Sequence, residues 1–185
     1  INFGEKTISD TSELIDLINQ IEPKLNQNQK IQRETILEIV TQGCQECLGF
    51  PPNVELLGSY RLGVESPESD LDIVCQIPTY LSGKNFLKNV QQRLEGLCES
   101  IQLVLEAKVP LLRLKLEGIS VDLLYTHFDG DSNSGISIIG CWEADFITEF
   151  VKEYLSIESF QLLLRAVRRW AKLRGVYGNS WGFFG

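Results

Sequence analysis

The stretch Leu57-Gly58-Ser59-Tyr60-Arg61-Leu62-Gly63, followed by Ser69-Asp70-Leu71-Asp72-Ile73, decides how the rest of the chain is read. Leu71 to Ile77 is an apolar run of strand length that ends at Pro78. In a strand, side chains alternate between the two faces. Asp70 and Asp72 therefore share one face, with Leu71 and Ile73 on the other. Two carboxylates side by side repel unless a cation joins them or they share a proton. A third acid, Asp122, stands alone in the later apolar run Ile119-Ser120-Val121-Asp122-Leu123-Leu124-Tyr125. A D-x-D taken alone is usually a solvated strand edge or a turn. A preceding Gly-Ser and a third Asp inside an apolar strand make that reading a poor one.

The flanking sequence supplies the elements. Leu14, Ile15, Leu17, Ile18 and Ile21 recur at helical spacing and predict a helix over 11–22 that Pro23 ends. A second helix is expected over 29–48, stopped by Gly49 and Pro51-Pro52. A strand follows at 54–57, then a helix-like turn, the strand 71–77 and a helix over 84–100. Three further strands are expected at 101–107, 109–116 and 119–125, the last two joined by the turn pair Glu117-Gly118. Residues 127–140, rich in Asp, Ser and Gly, read as a loop, and helices at 143–155 and 157–174 close the chain. This order gives an α+β fold with a small mixed sheet flanked by helices.

Composition narrows the function. The chain has 185 residues, 43% hydrophobic and 23% charged, which suits a folded domain rather than a disordered one. No apolar run reaches the roughly 20 residues of a membrane span. The net charge of -8 argues against a tight nonspecific nucleic-acid binder. Yet Arg165, Arg168, Arg169, Lys172 and Arg174 lie within ten residues that hold no acid. An acidic body with one basic helix suits a small polyanion bound with metal ions. Five cysteines are an odd number, Cys75 lies in an apolar run and Cys98 ends an expected helix, which points to reduced thiols and so to an intracellular protein of cytoplasm or nucleus. Cys44-x-x-Cys47 is a lone pair, where zinc would need a second pair or histidines. The chain contains no Met and stops at Phe183-Phe184-Gly185, so it is expected to be a fragment cut at both ends.

Three carboxylates can hold two divalent cations ~3.5–4 Å apart, the arrangement that clamps the attacking and leaving oxygens in nucleotidyl transfer. Mg²⁺ suits carboxylates and phosphate oxygens. On this reading Asp70 and Asp72 touch both ions, and Asp122 holds the one that binds the attacking hydroxyl. Gly58 lets backbone approach the phosphates, and Ser59 offers a hydroxyl and an N–H.

Gly58-Ser59, Asp70-x-Asp72 and Asp122 resemble the signature of the polymerase-beta-type nucleotidyltransferase superfamily. Gly58 to Val64, Val109 to Asp122, and above all Leu164-Arg-Ala-Val-Arg-Arg-Trp-Ala-Lys-Leu-Arg-Gly-Val-Tyr177 are similar to eukaryotic-type poly(A) polymerases. The resemblance implies a five-stranded catalytic domain at 51–140 and the start of a helical central domain at 141–185. It places residues 1–50 as helices that belong to the central domain or pack on it. It also implies ATP as donor, Mg²⁺ or Mn²⁺ as cofactor, and an RNA 3′ end as acceptor, with the RNA-binding part outside these residues. Arg168 matches a family lysine that contacts the triphosphate, keeping the charge but presenting a planar fork. Tyr177 matches a nucleotide contact, and Asn179 keeps an amide nearby. The asparagine that touches the sugar in the family has no counterpart around Gly140-Cys141-Trp142. Two other readings stay open. One is transfer to a different acceptor: a tRNA end, a small molecule or a second nucleotide. The other is an idle fold that binds nucleotide or protein.

Overall fold

The computed structural model describes residues 11–107, 109–128 and 136–177, with the side chains of 136–139 left aside. Asn179 lies outside the described residues. In order, the elements are α1 (Thr11–Ile21), α2 (Gln27–Leu48), β1 (Asn53–Leu56), α3 (Gly58–Arg61), β2 (Leu71–Pro78), α4 (Gly83–Leu94), β3 (Ser100–Val104), β4 (Leu111–Leu116), β5 (Ile119–Phe128), α5 (Ile136–Tyr154) and α6 (Ile157–Leu173). The strands form one sheet in the order β1-β2-β5-β4-β3. Only β2 and β5 run parallel, so the sheet is mixed, as the sequence pattern implied.

Local chemistry sets the boundaries. At the start of α2, Asn26 and Gln29 exchange side-chain and backbone hydrogen bonds at 2.9 and 3.0 Å, satisfying amides that the helix leaves open. Gly49, at φ +78°, ends that helix. Ser156 caps α6 through the Ser159 amide. Glu117 and Gly118 both take positive φ, which gives the tight turn that joins β4 to β5.

One face of the sheet carries the core. Leu71, Ile73, Cys75 and Ile77 of β2 meet Leu112, Leu114 and Leu116 of β4 and Val121 and Leu123 of β5. Ile36, Val40 and Cys44 of α2 and Phe86, Leu87, Val90 and Leu94 of α4 close over them. The Cys44 thiol is pushed up by its contact with Cys75 and by burial, which suits an inert packing group. Cys47 lies one turn further along α2, and the described cysteines are all unpaired thiols.

Several boundaries differ from the sequence pattern, among them the end of β3, which comes at Val104 rather than residue 107. The α4 helix stops at Leu94 instead of running to residue 100, because β3 takes up pairing at Ser100. Leu97, the next apolar residue at helical spacing, is exposed. The β4 strand starts at Leu111, after Pro110, which has no N–H to give the ladder. The β5 strand continues to Phe128, because its parallel register with β2 runs as far as Pro78. The α5 helix starts at Ile136, so the stretch 127–140 is not one loop: it begins as strand and ends as helix.

The α6 helix also departs from the usual polarity. Arg165 is 1% exposed, while Leu163, Val167, Trp170 and Leu173 are all exposed. The Arg165 guanidinium donates to Asn19 Oδ1 at 3.0 Å and to the Glu22 carbonyl, which ties α6 to the end of α1. The buried Glu22 carboxylate meets Lys172 at 3.4 Å and Arg169 at 4.0 Å. The basic face therefore turns inward onto α1, leaving the apolar face outward.

Candidate active site

The face of the sheet opposite the core carries the acids. Asp72 of β2 and Asp122 of β5 are direct partners in the parallel register, so their side chains leave the same face as neighbours. Asp70 immediately precedes β2. The alternation read from the sequence holds: Leu71 and Ile73 are 1% and 0% exposed on the core face.

Gly58 opens α3 beside these acids. Its φ is +57°, and a Cβ there would lie 2.7 Å from Asp72 Oδ2. The positive φ favours glycine, and a side chain here would push the Asp72 carboxylate aside. The Leu57 amide donates to the Asp72 carbonyl at 2.9 Å, fixing the turn against the strand. Arg61 anchors the other end of α3. It binds Glu55 of β1 at 2.8 Å and Asp145 of α5 at 2.7 Å, and this pairing holds the Asp145 carboxyl below the ordinary carboxylate range.

Two arginines clamp the loop that delivers Asp70. Arg33 of α2, buried, donates through Nη2 to the carbonyl of Ser69 at 2.6 Å and to those of Ser66 and Pro67 at 3.3 and 3.5 Å. Arg168 of α6 donates to the Val64 carbonyl at 2.6 Å and to Ser69 Oγ at 3.2 Å. Ser66 and Ser69 also bond each other through amide, carbonyl and hydroxyl groups. Asp70 is thus held from two helices that lie far apart in sequence.

A cleft of about 770 Å³ lies between this assembly and α6. Gly58, Ser59, Asp70 and Asp72 line one side of it, and Leu164, Val167, Arg168, Trp170, Ala171, Lys172 and Tyr177 the other. Part of the apolar side of α6, Leu164, Val167, Trp170 and Ala171, is therefore a cleft wall rather than core. Lys172 Nζ sits 3.4 Å from Glu22, 3.7 Å from Glu68 and 5.9 Å from the centre of the Tyr177 ring.

The field on the acids is negative and partly desolvated. Burial, then the nearby Asp122 charge, raises the carboxyl of Asp70; Arg113, Arg33 and Lys172 offset part of this. Burial, then Asp122 and Asp70, raises that of Asp72. Asp122 itself is held by Arg113 of β4 through a two-pronged contact, at 2.9 Å to Oδ1 and 2.8 Å to Oδ2. Among the described residues no group of three carboxylate, thiol or imidazole side chains is gathered to hold a metal ion. The donor chemistry nonetheless fits a hard divalent cation. All three are carboxylates on one sheet face, and burial, with the neighbouring acid charge second, raises two of them. The third, Asp122, is engaged by Arg113.

Of the residues singled out from sequence, Gly58, Ser59, Asp70, Asp72, Arg168 and Tyr177 share the cleft. Asp122 stands beside Asp72 on the same face. Three participants were missed. Lys172 was read only as part of a basic run, although its spacing of four from Arg168 puts both on one helix face. Arg33 and Arg113 carried no local signal, since their partners come from other elements.

Residues 9–141 match the family described as the central palm domain of mitochondrial-like poly(A) RNA polymerases. The chain belongs to this family. It is 35% identical over 150 residues to nuclear poly(A) polymerase 2 of Arabidopsis thaliana, covering 69% of this chain and 18% of that protein. It is 31% identical over 149 residues to the poly(A) polymerase of Dictyostelium discoideum, with the same coverages. Among solved structures, the Cid1 poly(U) polymerase with bound MgGTP superposes with a TM-score of 0.75 at 12% identity, over 95% of this chain and 51% of that one. The GLD-2/RNP-8 complex gives a TM-score of 0.69 at 18% identity, covering 92% and 52%. These two likenesses establish the nucleotidyltransferase fold. The chain spans less than a third of the length of the curated palm-family relatives it matches. Among the described residues no helix is long and apolar enough to cross a membrane.

Proposed function

We propose that this palm domain belongs to an intracellular enzyme, of cytoplasm or nucleus, that transfers AMP from ATP to the 3′ end of RNA. The observation that carries the reading is the registered pair Asp72 and Asp122, with Asp70 beside them, facing the Gly58-Ser59 turn at the edge of a cleft of nucleotide size. Asp70, Asp72 and Asp122 would hold Mg²⁺ or Mn²⁺. When bound, such ions neutralise the triphosphate and lower the pKa of the attacking hydroxyl.

The chain's own groups do the positioning. Gly58 removes the side chain that would stand between backbone and phosphate. Lys172, Arg168 and the Ser59 hydroxyl give the cleft its polar and cationic lining for the triphosphate. The exposed faces of Trp170 and Val167, with Tyr177, give an apolar wall for a base. Arg33 and Arg168 hold the loop 64–69, which fixes Asp70 before substrate arrives. Asn179 is assigned to the nucleotide side by family resemblance.

The same proposal treats 51–140 as the catalytic domain and 141–185 as the start of a helical domain. In that division α2 packs on the catalytic sheet and α1 on α6. The RNA-binding portion lies outside these residues.

The test is product sizing. The full-length protein is incubated with an RNA oligomer, Mg²⁺ or Mn²⁺, and each nucleoside triphosphate in turn. A ladder formed with ATP and lost in Asp72→Ala is expected. No extension of RNA by any nucleotide, with transfer to a tRNA end or small molecule instead, would move the assignment to another acceptor.

A further inference from the structure

We propose that Arg113 is a positioning residue that keeps the place of the metal at Asp122, so that metal loading requires Asp122 to leave the guanidinium fork. The inference rests on the reading of Asp122 as a metal ligand. Four observations on the open face lead to it.

The β4–β5 register sets Arg113 directly opposite Asp122, on the face away from Leu112 and Leu114. The guanidinium donates Nε to Oδ1 and Nη2 to Oδ2, so both carboxylate oxygens are engaged at once. Among the described residues, every hydrogen bond found for the Arg113 side chain goes to Asp122. Finally, Asp70 and Asp72 stand outside the fork, and no three-carboxylate group is gathered for a metal.

The burial of the pair makes the exchange possible. The Arg113 side chain is 56% exposed and that of Asp122 only 18%. An ion pair with one solvated partner is weak, so the arm can turn into water without a large cost. A divalent cation at Asp122 would sit within a few ångströms of the guanidinium and repel it. The two cations therefore compete for one carboxylate. In exchange, Arg113 offsets the charge of three neighbouring aspartates while the metal is away.

The test is Mn²⁺ binding, with Mn²⁺ as the sole ligand, measured by electron paramagnetic resonance on the full chain. Wild type, Arg113→Ala, Arg113→Gln and Asp122→Ala are compared, each also melted without metal. Removing a competing charge of a partly exposed pair is expected to tighten Mn²⁺ binding about fivefold. The same two variants should melt below wild type in the absence of metal, since the aspartates then repel without compensation. A residue that merely braces the strand would lower both stability and Mn²⁺ affinity. Unchanged or weaker Mn²⁺ binding in the Ala and Gln variants therefore overturns the proposal. The Gln variant keeps the side-chain bulk and carries the measurement if the Ala variant folds poorly. If Asp122→Ala binds Mn²⁺ as wild type does, Asp122 is not a ligand and both readings fall. If that variant loses Mn²⁺ while the Arg113 variants are unaltered, the metal site stands and only the placeholder role fails.

Discussion

The two faces of the sheet come from the same strands and have opposite needs. On one face Leu71, Ile73, Leu112, Leu114, Val121 and Leu123 are at most 1% exposed, and α2 and α4 close over them. That face is complete within the chain. On the other, Asp72, Asp122 and Arg113 alternate with those same residues and present charge to a cleft margin. Part of this second face is apolar too, since Val74 packs with Cys141, Leu57 and Leu124. The charged part is held by ion pairs and arginine clamps instead of by packing. The contrast shows how one period-two pattern can supply stability on one side and chemistry on the other. The first side is closed by packing, whereas the second leaves acids beside an open cleft.

Neighbouring residues should therefore fail in opposite ways. Asp72→Ala should lower nucleotidyl transfer on the order of a hundredfold or more, the scale for removing a preorganised electrostatic group, with no loss of thermal stability. Asp122→Ala should match it in rate. Ile73→Ala, one position along and on the core face, should cost about 2–5 kcal/mol of stability through the cavity it leaves. Rate assays and melting curves on the pair check both halves. A large stability loss in Asp72→Ala would mean that the open face also serves as core.

Much of this division was readable from the residues. The alternation around Asp70-Leu71-Asp72-Ile73 placed acids and core on the correct faces because a strand has a fixed period. Glu117-Gly118 located the β4–β5 turn for a similarly local reason. Helix ends were harder. Leu97 continues the apolar spacing of α4, but strand pairing at Ser100 overrides it. The polarity of α6 was unreadable, because its apolar stripe looks the same whether it faces a core or a cleft. Arg33 and Arg113 act across sequence separations that no local pattern reports.

The clamp gives an intermediate effect. Arg33→Met should leave the carbonyls of Ser66 and Ser69 without their buried donor and cost roughly 1–3 kcal/mol, read as a lower melting temperature. It should also lower the transfer rate, because Asp70 loses its fixed position. Full activity in a destabilised Arg33→Met protein would separate the loop from the chemistry. Arg168→Ala should weaken ATP use more than stability, and Arg168→Lys should be milder, keeping the charge while losing one prong of its hold on Val64 and Ser69. Equal losses of activity and stability in Arg168→Ala would assign it to the clamp alone.

The smallest effect bears most directly on whether the open face is a repelling, cation-seeking site. Asp70 and Asp72 hold their protons more tightly in the native state than in the unfolded chain. Their contribution to metal-free stability is therefore unfavourable at neutral pH. It appears as pH rises from the unfolded carboxylate value of about 3.9 through the raised native values, and it fades as pH falls back. Asp72→Asn removes one of the charges at nearly constant volume. Without metal at neutral pH it should melt about 2 °C above wild type, a gap that closes toward acid pH. With MgATP the order should reverse, because wild type gains more stability from binding than the variant does. Melting curves of the two proteins with and without MgATP decide the matter. The variant higher without ligand and lower with it is the predicted result. The variant lower in both conditions would contradict the reading of these aspartates as a metal–nucleotide site.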